Sequence, residues 1–405
     1  MAAEKNNKTL NVPNLRFPEF DGEWERCKVK DFTKVVAGAT PSTSNKEYWG
    51  GDIRWMNSGE LNLKRVYEVQ GRITQLGYEK TSTKIIPLQS VLIGLAGQGK
   101  TRGTAAINYV ELCTNQSIAS ILPSDKYYPE FLYQNIESRY KELRDISSGD
   151  GGRGGLNLQM IYNLTIPYCS LSEQKKIGKF LCLLDQRIET QKKVIEDFKK
   201  LKDAISKSLF SRHDLLETKV QISQIGSLKN GYAFQSSSYD SSGEYEIITI
   251  ANVSGERNIY TEECNRIHTL PSDLQSHQEL KDGDILISMT GNVGRVSLCK
   301  EGKYLLNQRV GLLQLQAGVN REFVYQALSS RQFELSMISC GQGAAQMNIG
   351  KGDIENFAIP YSSNPQNLQH ISLILKSYDT LVLTENMRLQ LLLGQKQYIL
   401  SNMFI

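Results

Sequence analysis

Two stretches of sequence, EFLYQNIESR at residues 130–139 and EFVYQALSSR at residues 322–331, share six of their ten residues at a separation of 192 positions. Three further pairs of segments keep this separation to within two residues: 91–97 with 285–291, 115–116 with 307–308, and 161–168 with 354–361. Agreement between distant parts of a chain indicates an internal repeat, which has to be recognised before single motifs are interpreted. The chain is therefore one module built twice.

Each copy has the same order of predicted elements. Short β-rich segments with Gly and Asn turns come first, followed by a helix near 127–143 or 320–338 and a glycine-rich loop. A strand ending in Ile-Pro-Tyr and a long helix complete the copy. Strands followed by helices within one segment are typical of an α+β domain.

The long helices are the most clearly patterned elements. Apolar residues of 171–210 recur at steps of three and four, which is coiled-coil spacing, and residues of about 367–402 follow a similar pattern. A helix of about 40 residues is ~60 Å long, so it has to pack against something outside its own domain. We expect the two helices to lie antiparallel as a spacer, giving two mixed α/β domains, two long coiled-coil helices and a pseudo-twofold repeat.

This organisation predicts five segments along the chain. They are an N-terminal arm at 1–21, a first domain at 22–168, a first spacer helix at 169–213, a second domain at 214–363 and a second spacer helix at 364–405.

Composition limits the class of protein. The 405 residues are 40% hydrophobic and 22% charged, which is ordinary for a globular protein with two cores. No apolar run approaches the ~20 residues of a membrane span, and the polar N-terminus has no signal-peptide pattern, so we expect a cytoplasmic protein without a membrane partner. The net charge of +4 permits a polyanionic partner without requiring one.

Residues 94–101, GLAGQGKT, fit the phosphate-loop pattern GxxxxGK[ST] after a predicted strand. A phosphate loop also needs a helix that begins at its lysine, whereas the residues that follow, RGTAAINYV, are strand-like. A basic, glycine-rich loop that approaches DNA is the favoured interpretation, and an ATP-binding enzyme is kept as an alternative. Seven cysteines and four histidines show no metal-ligand spacing, so neither a metal site nor a catalytic residue is predicted.

Three features together resemble the specificity subunits of Type I restriction-modification enzymes, and the resemblance covers nearly the whole chain. They are LRFPEF leading to GEWE at 15–25, GATPS at 38–42, and the IPYCSLSEQKKI junction at 166–177. The second junction departs from this pattern, reading PQNLQHI at 365–371.

The resemblance implies that each domain is a target-recognition domain that reads one half of a split double-stranded DNA site. It also implies two methyltransferase subunits that use S-adenosylmethionine to methylate adenine N6, and restriction subunits that use ATP and Mg as motor-nucleases. The chain itself would be non-catalytic and hold no cofactor. A coiled-coil adaptor that does not bind DNA stays open as a second alternative.

Base edges are read by Arg, Lys, Asn and Gln, while Ser, Thr and loop amides also hold phosphates. On this basis the candidate DNA-binding residues are Thr40, Ser42, Asn57, Lys100, Arg102, Arg153 and Asn157 in the first copy, and Asn252, Arg257, Asn292, Arg295, Gln342, Gln346 and Asn348 in the second. If the helices set the distance between half-sites, one extra helical turn near 206–216 should lengthen the tolerated gap.

Overall fold

The computed structural model describes residues 11–97, 101–147, 155–341 and 347–405. The chain forms two compact units, one made of Met1–Gln191 with Arg388–Ile405 and the other of Lys192–Met387. Lys100, Arg153, Gln342 and Gln346 of the predicted DNA-binding set lie outside the described residues.

The first unit begins with short strands, and it contains the start of one long helix and the end of the other. Its elements are β1 (Glu25–Lys28), β2 (Val35–Ala37), β3 (Trp49–Met56), β4 (Arg65–Val66), β5 (Arg72–Ile73), α1 (Gln75–Glu79), β6 (Val91–Gly94), β7 (Ala105–Asn108), β8 (Cys113–Thr114), β9 (Ile118–Ile121), α2 (Pro129–Ser138), α3 (Tyr140–Ile146), α4 (Leu158–Asn163), β10 (Thr165–Tyr168) and α5 (Leu171–Phe210). Short 3-10 helices lie at Val29–Asp31, Lys46–Tyr48 and Ser58–Leu63.

The second unit has a closely similar series. Its elements are β11 (Thr218–Gln221), α6 (Ile222–Ile225), β12 (Gly226–Asn230), β13 (Tyr245–Ile248), β14 (Asn265–Ile267), β15 (Glu279–Leu280), β16 (Ile285–Ser288), β17 (Val296–Leu298), β18 (Tyr304–Leu306), β19 (Val310–Leu315), α7 (Arg321–Leu328), α8 (Arg331–Cys340), α9 (Lys351–Glu355), β20 (Ala358–Tyr361) and α10 (Pro365–Met403). Short 3-10 helices lie at Ser236–Ser238 and Ser276–Gln278.

Strand order repeats from one unit to the next, which confirms the internal repeat. The sheet β2-β9-β6-β7, extended by β4, corresponds to β12-β19-β16-β17, and β5-β3-β8 corresponds to β14-β13-β18, extended by β15. Pairing senses also agree, since β3 and β8 are parallel, as are β13 and β18. The central strands β6 and β16 are buried along their whole length, which explains why their sequences are continuous apolar runs rather than alternating ones.

Each predicted strand ending in Ile-Pro-Tyr is present and closes its domain. Strand β10 pairs antiparallel with β1, and β20 pairs in the same way with β11. These are two-stranded pairs, where a proline costs little because it interrupts no wider hydrogen-bonded ladder. The chain then enters the long helix within a few residues.

The prediction of one helix near 127–143 and one near 320–338 is wrong in one respect, because each segment forms two helices. In the first copy α2 ends before Arg139, whose backbone is not helical (φ −94°, ψ 17°) and whose guanidinium binds the carbonyl of Thr165. In the second copy Ser330 is extended and caps the start of α8. One residue with a non-helical backbone therefore interrupts each continuous apolar pattern, and in the second copy it also caps the helix that follows.

Both long helices have the predicted extent, and each contributes to both cores. In the first unit the start of α5 (Ile177, Leu181) joins a core that also contains Leu392 and Ile399 of α10. In the second unit the end of α5, including Leu209, packs on the core that contains Leu368 and Ile371 of α10. In either unit the start of one helix lies with the end of the other, so the helices are antiparallel.

Candidate functional site

A buried ionic network joins the first domain to both long helices. We call it the first network and define it by Arg65 on β4, Glu130 and Gln134 on α2, Asp185 on α5 and Lys396 on α10. Arg65 binds Glu130 through two nitrogens, at 3.1 and 2.8 Å, and Asp185 at 2.9 Å. Gln134 donates to Asp185 at 2.7 Å, and Lys396 Nζ lies 2.6 Å from Asp185 Oδ1. The guanidinium of Arg65 also lies over the ring of Tyr133.

The second domain contains the same network with the helices exchanged. The second network consists of Arg257, Glu322, Gln326, Asp379 and Lys202. Arg257 binds Glu322 at 2.8 and 2.6 Å and Asp379 at 3.0 Å, while Gln326 donates to Asp379 at 2.7 Å. Lys202 comes from α5 and Asp379 from α10, the reverse of the first network, and their contact is 2.5 Å long. Each domain is therefore tied to both helices.

The ionised forms of the side chains in both networks are stabilised by their partners. Burial alone would lower the pKa of Arg65, but its hydrogen bonds and attraction to Glu130 raise it above the ordinary value. Burial would raise the pKa of Glu322, but its hydrogen bond from Arg257 lowers it. Burial would lower the pKa of Lys396, yet Glu137 and Asp185 raise it. Removing one partner would leave a buried charge uncompensated, which is strongly destabilising.

A polar groove of about 780 Å³ lies in the second domain, and its lining includes no residue of the second network. We call it the second-domain groove; it is lined by Asn230, Gly231, Met289, Thr290, Gln308, Arg309, Asn348, Ile349, Gly350 and Lys351. Its floor is fixed by backbone hydrogen bonds from Ile349 to Met289 (2.9 Å) and from Met289 to Arg309 (3.1 Å). Gln308, Arg309, Asn348 and Lys351 are all exposed.

The loop that resembles a phosphate loop has the wrong surroundings for one. Strand β6 precedes it as expected, but the described residues after it form a turn at 101–103 and then strand β7. A phosphate loop needs a helix there, whose first backbone amides hold the phosphates. This arrangement removes the support for the ATP-binding alternative.

A family model for the Type I restriction modification DNA specificity domain matches the chain twice, over residues 21–198 and 217–393. The chain belongs to this family. Each matched segment contains one mixed α/β domain and the first part of the long helix that follows it.

Curated members of the specificity-domain family resemble the chain over different extents. The MjaIX specificity subunit of Methanocaldococcus jannaschii is 34% identical over 193 residues, covering 46% of this chain and 44% of that protein. The EcoR124I/EcoR124II specificity subunit of Escherichia coli is 26% identical and covers 42% of this chain and 43% of that protein. In each of these two comparisons the matched region makes up less than half of the relative's own length. The putative MjaX specificity subunit of Methanocaldococcus jannaschii is 24% identical, covering 93% of this chain and 91% of that protein.

Solved structures share the fold over nearly the whole chain. The Type I restriction-modification S subunit from M. genitalium superimposes with a TM-score of 0.60 at 16% identity, covering 97% of this chain and 99% of that one. A chain from a study of complex assembly and conformational transition of the type I R-M system gives a TM-score of 0.58 at 16% identity, covering 94% and 97%.

The structure contradicts the predicted DNA-binding role of two residues. Arg257 belongs to the second network, where its guanidinium is occupied by Glu322 and Asp379. Asn252 is 2% exposed, and its side chain accepts from the Thr249 amide and donates to the Tyr260 carbonyl. Neither side chain is available to DNA, because its hydrogen-bonding groups serve internal contacts.

The other described candidates lie at the surface or close to it, several with local structural bonds. Asn57 caps a 3-10 helix by accepting from Gly59, and Asn157 caps α4 by accepting from Met160. Thr40 donates to Gln116 at 2.6 Å, and Ser42 bonds Ser44. Asn292 is exposed, and Arg102 and Arg295 are half-buried. Asn348 lies in the second-domain groove and accepts from Thr290 at 2.9 Å.

Sequence reasoning missed both networks and the two cations of the second-domain groove, Arg309 and Lys351. The repeat itself carried the signal for the networks, since Arg65 and Arg257, Glu130 and Glu322, and Gln134 and Gln326 are each 192 positions apart. A charged residue that is identical in both copies indicates a shared internal contact. No group of histidine, cysteine or acidic residues in the described part of the chain could hold a metal ion. Among the described residues, no helix has the length and apolar character needed to cross a membrane.

Proposed function

We propose that the chain is the DNA specificity subunit of a Type I restriction-modification complex, in which each domain reads one half of a bipartite, asymmetric site. The observation that carries this proposal is the domain itself, which occurs twice with one strand order and different exposed side chains in the corresponding loops. A common backbone presents both reading surfaces, and their side chains differ. Two unlike half-sites require such an arrangement.

The long helices set the separation of the half-sites and dock two methyltransferase subunits. Support for docking comes from apolar side chains that the helices leave exposed in each unit. In the second unit Leu373 and Met387 are 56% and 61% exposed; in the first, Leu183, Leu391 and Tyr398 are 64%, 73% and 65% exposed. Large apolar side chains grouped at the surface are typical of protein interfaces. Exposed apolar side chains on the helices of both units fit two copies of the same partner.

The chemistry of the complex belongs to its partners. The methyltransferase subunits transfer a methyl group from S-adenosylmethionine to adenine N6, and the restriction subunits use ATP and Mg for translocation and cleavage. This chain supplies recognition without catalysis and without a cofactor of its own. We expect the chain to act in the cytoplasm, and we keep the domain boundaries at 22–168 and 214–363, with spacer segments at 169–213 and 364–405 that contain α5 and α10.

The test is methylome sequencing of cells that express this chain with its methyltransferase. A new split motif containing N6-methyladenine in each half is expected, and it should be absent when either protein is expressed alone. Absence of any new motif from cells that contain the assembled complex would contradict the proposal. Sequence-independent methylation would favour the adaptor alternative, and ATP binding by the purified chain would revive the enzyme alternative.

A further inference from the structure

The two domains share a backbone position at which one copy has a neutral side chain and the other a positive one. In the first domain the Leu156 amide bonds the Leu95 carbonyl and the Leu95 amide bonds the Ser117 carbonyl, at 2.9 and 2.8 Å. These bonds match those from Ile349 to Met289 and from Met289 to Arg309 in the second-domain groove. Ser117 in one copy therefore stands where Arg309 stands in the other.

A glycine fixes the floor of this position in both copies. A Cβ atom built on Gly38 would lie 1.8 Å from the carbonyl oxygen of Thr114, and one built on Gly231 would lie 2.2 Å from that of Asn307. Both distances are impossible for a real side chain, so in each copy a glycine allows two backbone segments to approach closely, at positions that differ by one residue. Next to this contact both copies present an exposed glutamine, Gln116 or Gln308.

Side chains at the entrance of the second-domain groove differ from those at the corresponding positions of the first domain. Gly155 and Leu158 of the first domain correspond to Asn348 and Lys351 of the second, as the start of α4 corresponds to that of α9. Lys351 is engaged with Glu355 at 3.5 Å, and Asp353 accepts from the Gly350 amide. In the described part of the chain the exposed guanidinium of Arg309 has no ion pair or hydrogen bond.

We propose that Arg309 reads a guanine in the half-site recognised by the second domain, with Gln308 and Asn348 beside it. This inference rests on the proposed function. Arginine binds guanine O6 and N7 through two donors, and asparagine or glutamine binds adenine N6 and N7. The groove places one arginine and two amides on a rigid floor, where geometry rather than charge alone determines the base. The first domain, with Ser117 in the corresponding place, lacks this guanine contact.

The experiment is methylome sequencing with Arg309→Ser, which installs the first domain's residue, and with Arg309→Lys. Both variants should relax one guanine position in one half-site, with preference for that base falling on the order of 10- to 100-fold. The other half-site and the spacing should be unchanged. Lysine keeps the charge but replaces the rigid two-donor fork of arginine with one flexible ammonium group, so it should read the base edge less well than arginine does. Arg331→Ser, which removes another exposed arginine of the same domain, should keep the wild-type motif.

The outcomes separate this inference from the proposed function. A wild-type split motif that is unaltered by Arg309→Ser, or that contains no guanine in either half, overturns the inference and leaves the proposed function standing. A wild-type motif kept by Arg309→Lys but weakened uniformly by Arg309→Ser would assign Arg309 to a phosphate, and so overturns it as well. Binding of purified complexes to duplexes with single-base changes gives the same discrimination if Arg309→Ser abolishes methylation in cells. Failure of the wild-type chain to direct any motif overturns the proposed function itself.

Discussion

Lys396, near the end of α10, lies 2.6 Å from Asp185, near the start of α5. The second domain has the reciprocal contact, in which Lys202 of α5 lies 2.5 Å from Asp379 of α10. Moving 17 residues along α5, from 185 to 202, thus moves the partner position 17 residues back along α10, from 396 to 379. Each unit thus has one lysine–aspartate contact between antiparallel helices, with the two residues exchanged between α5 and α10.

Loss of the carboxylate at the centre of the first network should destabilise the protein strongly. In Asp185→Asn, Arg65 and Lys396 stay buried without one of their negative partners, and breaking a buried pair in this way costs about 3–5 kcal/mol. We expect the urea midpoint of the first unfolding transition to be lower than in the wild type. The transition is monitored by circular dichroism. Glu196→Gln is the matched control, because it removes an exposed pair with Lys200 on the same helix. An unchanged midpoint in Asp185→Asn would mean that the network does not hold the domain to the helices.

Two glycines of the long helices should respond to alanine in opposite directions. A Cβ atom at Gly178 would lie 2.9 Å from the Phe131 backbone nitrogen, so Gly178→Ala should push α5 away from α2 and lower the melting temperature. At Gly394 nothing lies within 4 Å, and Gly394→Ala should raise stability by up to about 1 kcal/mol through helix propensity. Thermal unfolding of the two variants provides the comparison, and each serves as the control for the other. Shifts of the same sign would contradict the packing described here.

Acid should weaken the second network. Burial alone would raise the pKa of Glu322, but the hydrogen bonds from Arg257 and Gln326 and the attraction to Arg257 together outweigh it, so the pKa is lowered in the folded protein. Its ionised form therefore adds stability above the ordinary carboxyl pKa of 4.5, and that contribution is lost as the pH falls through the lower, folded value. Unfolding midpoints measured between pH 3 and 7 should fall less steeply on the acid side in Glu322→Gln than in the wild type. Glu301→Gln, at an exposed position, should follow the wild-type curve.

Lengthening both helices between the two networks should widen the gap between half-sites. The structure corrects the insertion point predicted at 206–216, because Leu209 and Phe210 pack on the second core beyond Lys202. Seven residues that continue the apolar pattern, inserted after Lys193 and after Met387, add about 10 Å. The methylome should then show a spacer longer by about three base pairs, at ~3.4 Å each, with both half-sites unchanged.

The control for the lengthened helices is an insertion in α5 alone. It would move Lys202 out of register with Asp379, so a lower melting temperature is expected instead of a new spacing. Altered half-sites in the doubly lengthened protein would show that the helices do more than separate the domains.

The parts that were predictable from sequence are those governed by local periodicity or by repetition. The bounds of α5, the strands at 165–168 and 358–361 and the duplication follow from apolar spacing and from matching segments. The breaks at Arg139 and Ser330 depend on single backbone conformations that the apolar pattern does not record. Arg257 looked like a DNA-binding residue because its partners, Glu322 and Asp379, lie 65 and 122 positions away.

The contact between Lys396 and Asp185 also determines when each part of the protein can be completed during translation. The second unit is continuous in sequence, from Lys192 to Met387. The first unit also needs Arg388–Ile405, which supply Lys396, the Asn402 carbonyl that accepts from the Leu15 amide, and the Phe404 ring on Phe131. The recognition domain that leaves the ribosome first therefore cannot complete its fold until residues 388–405 are made, and until then Asp185 lacks its lysine partner.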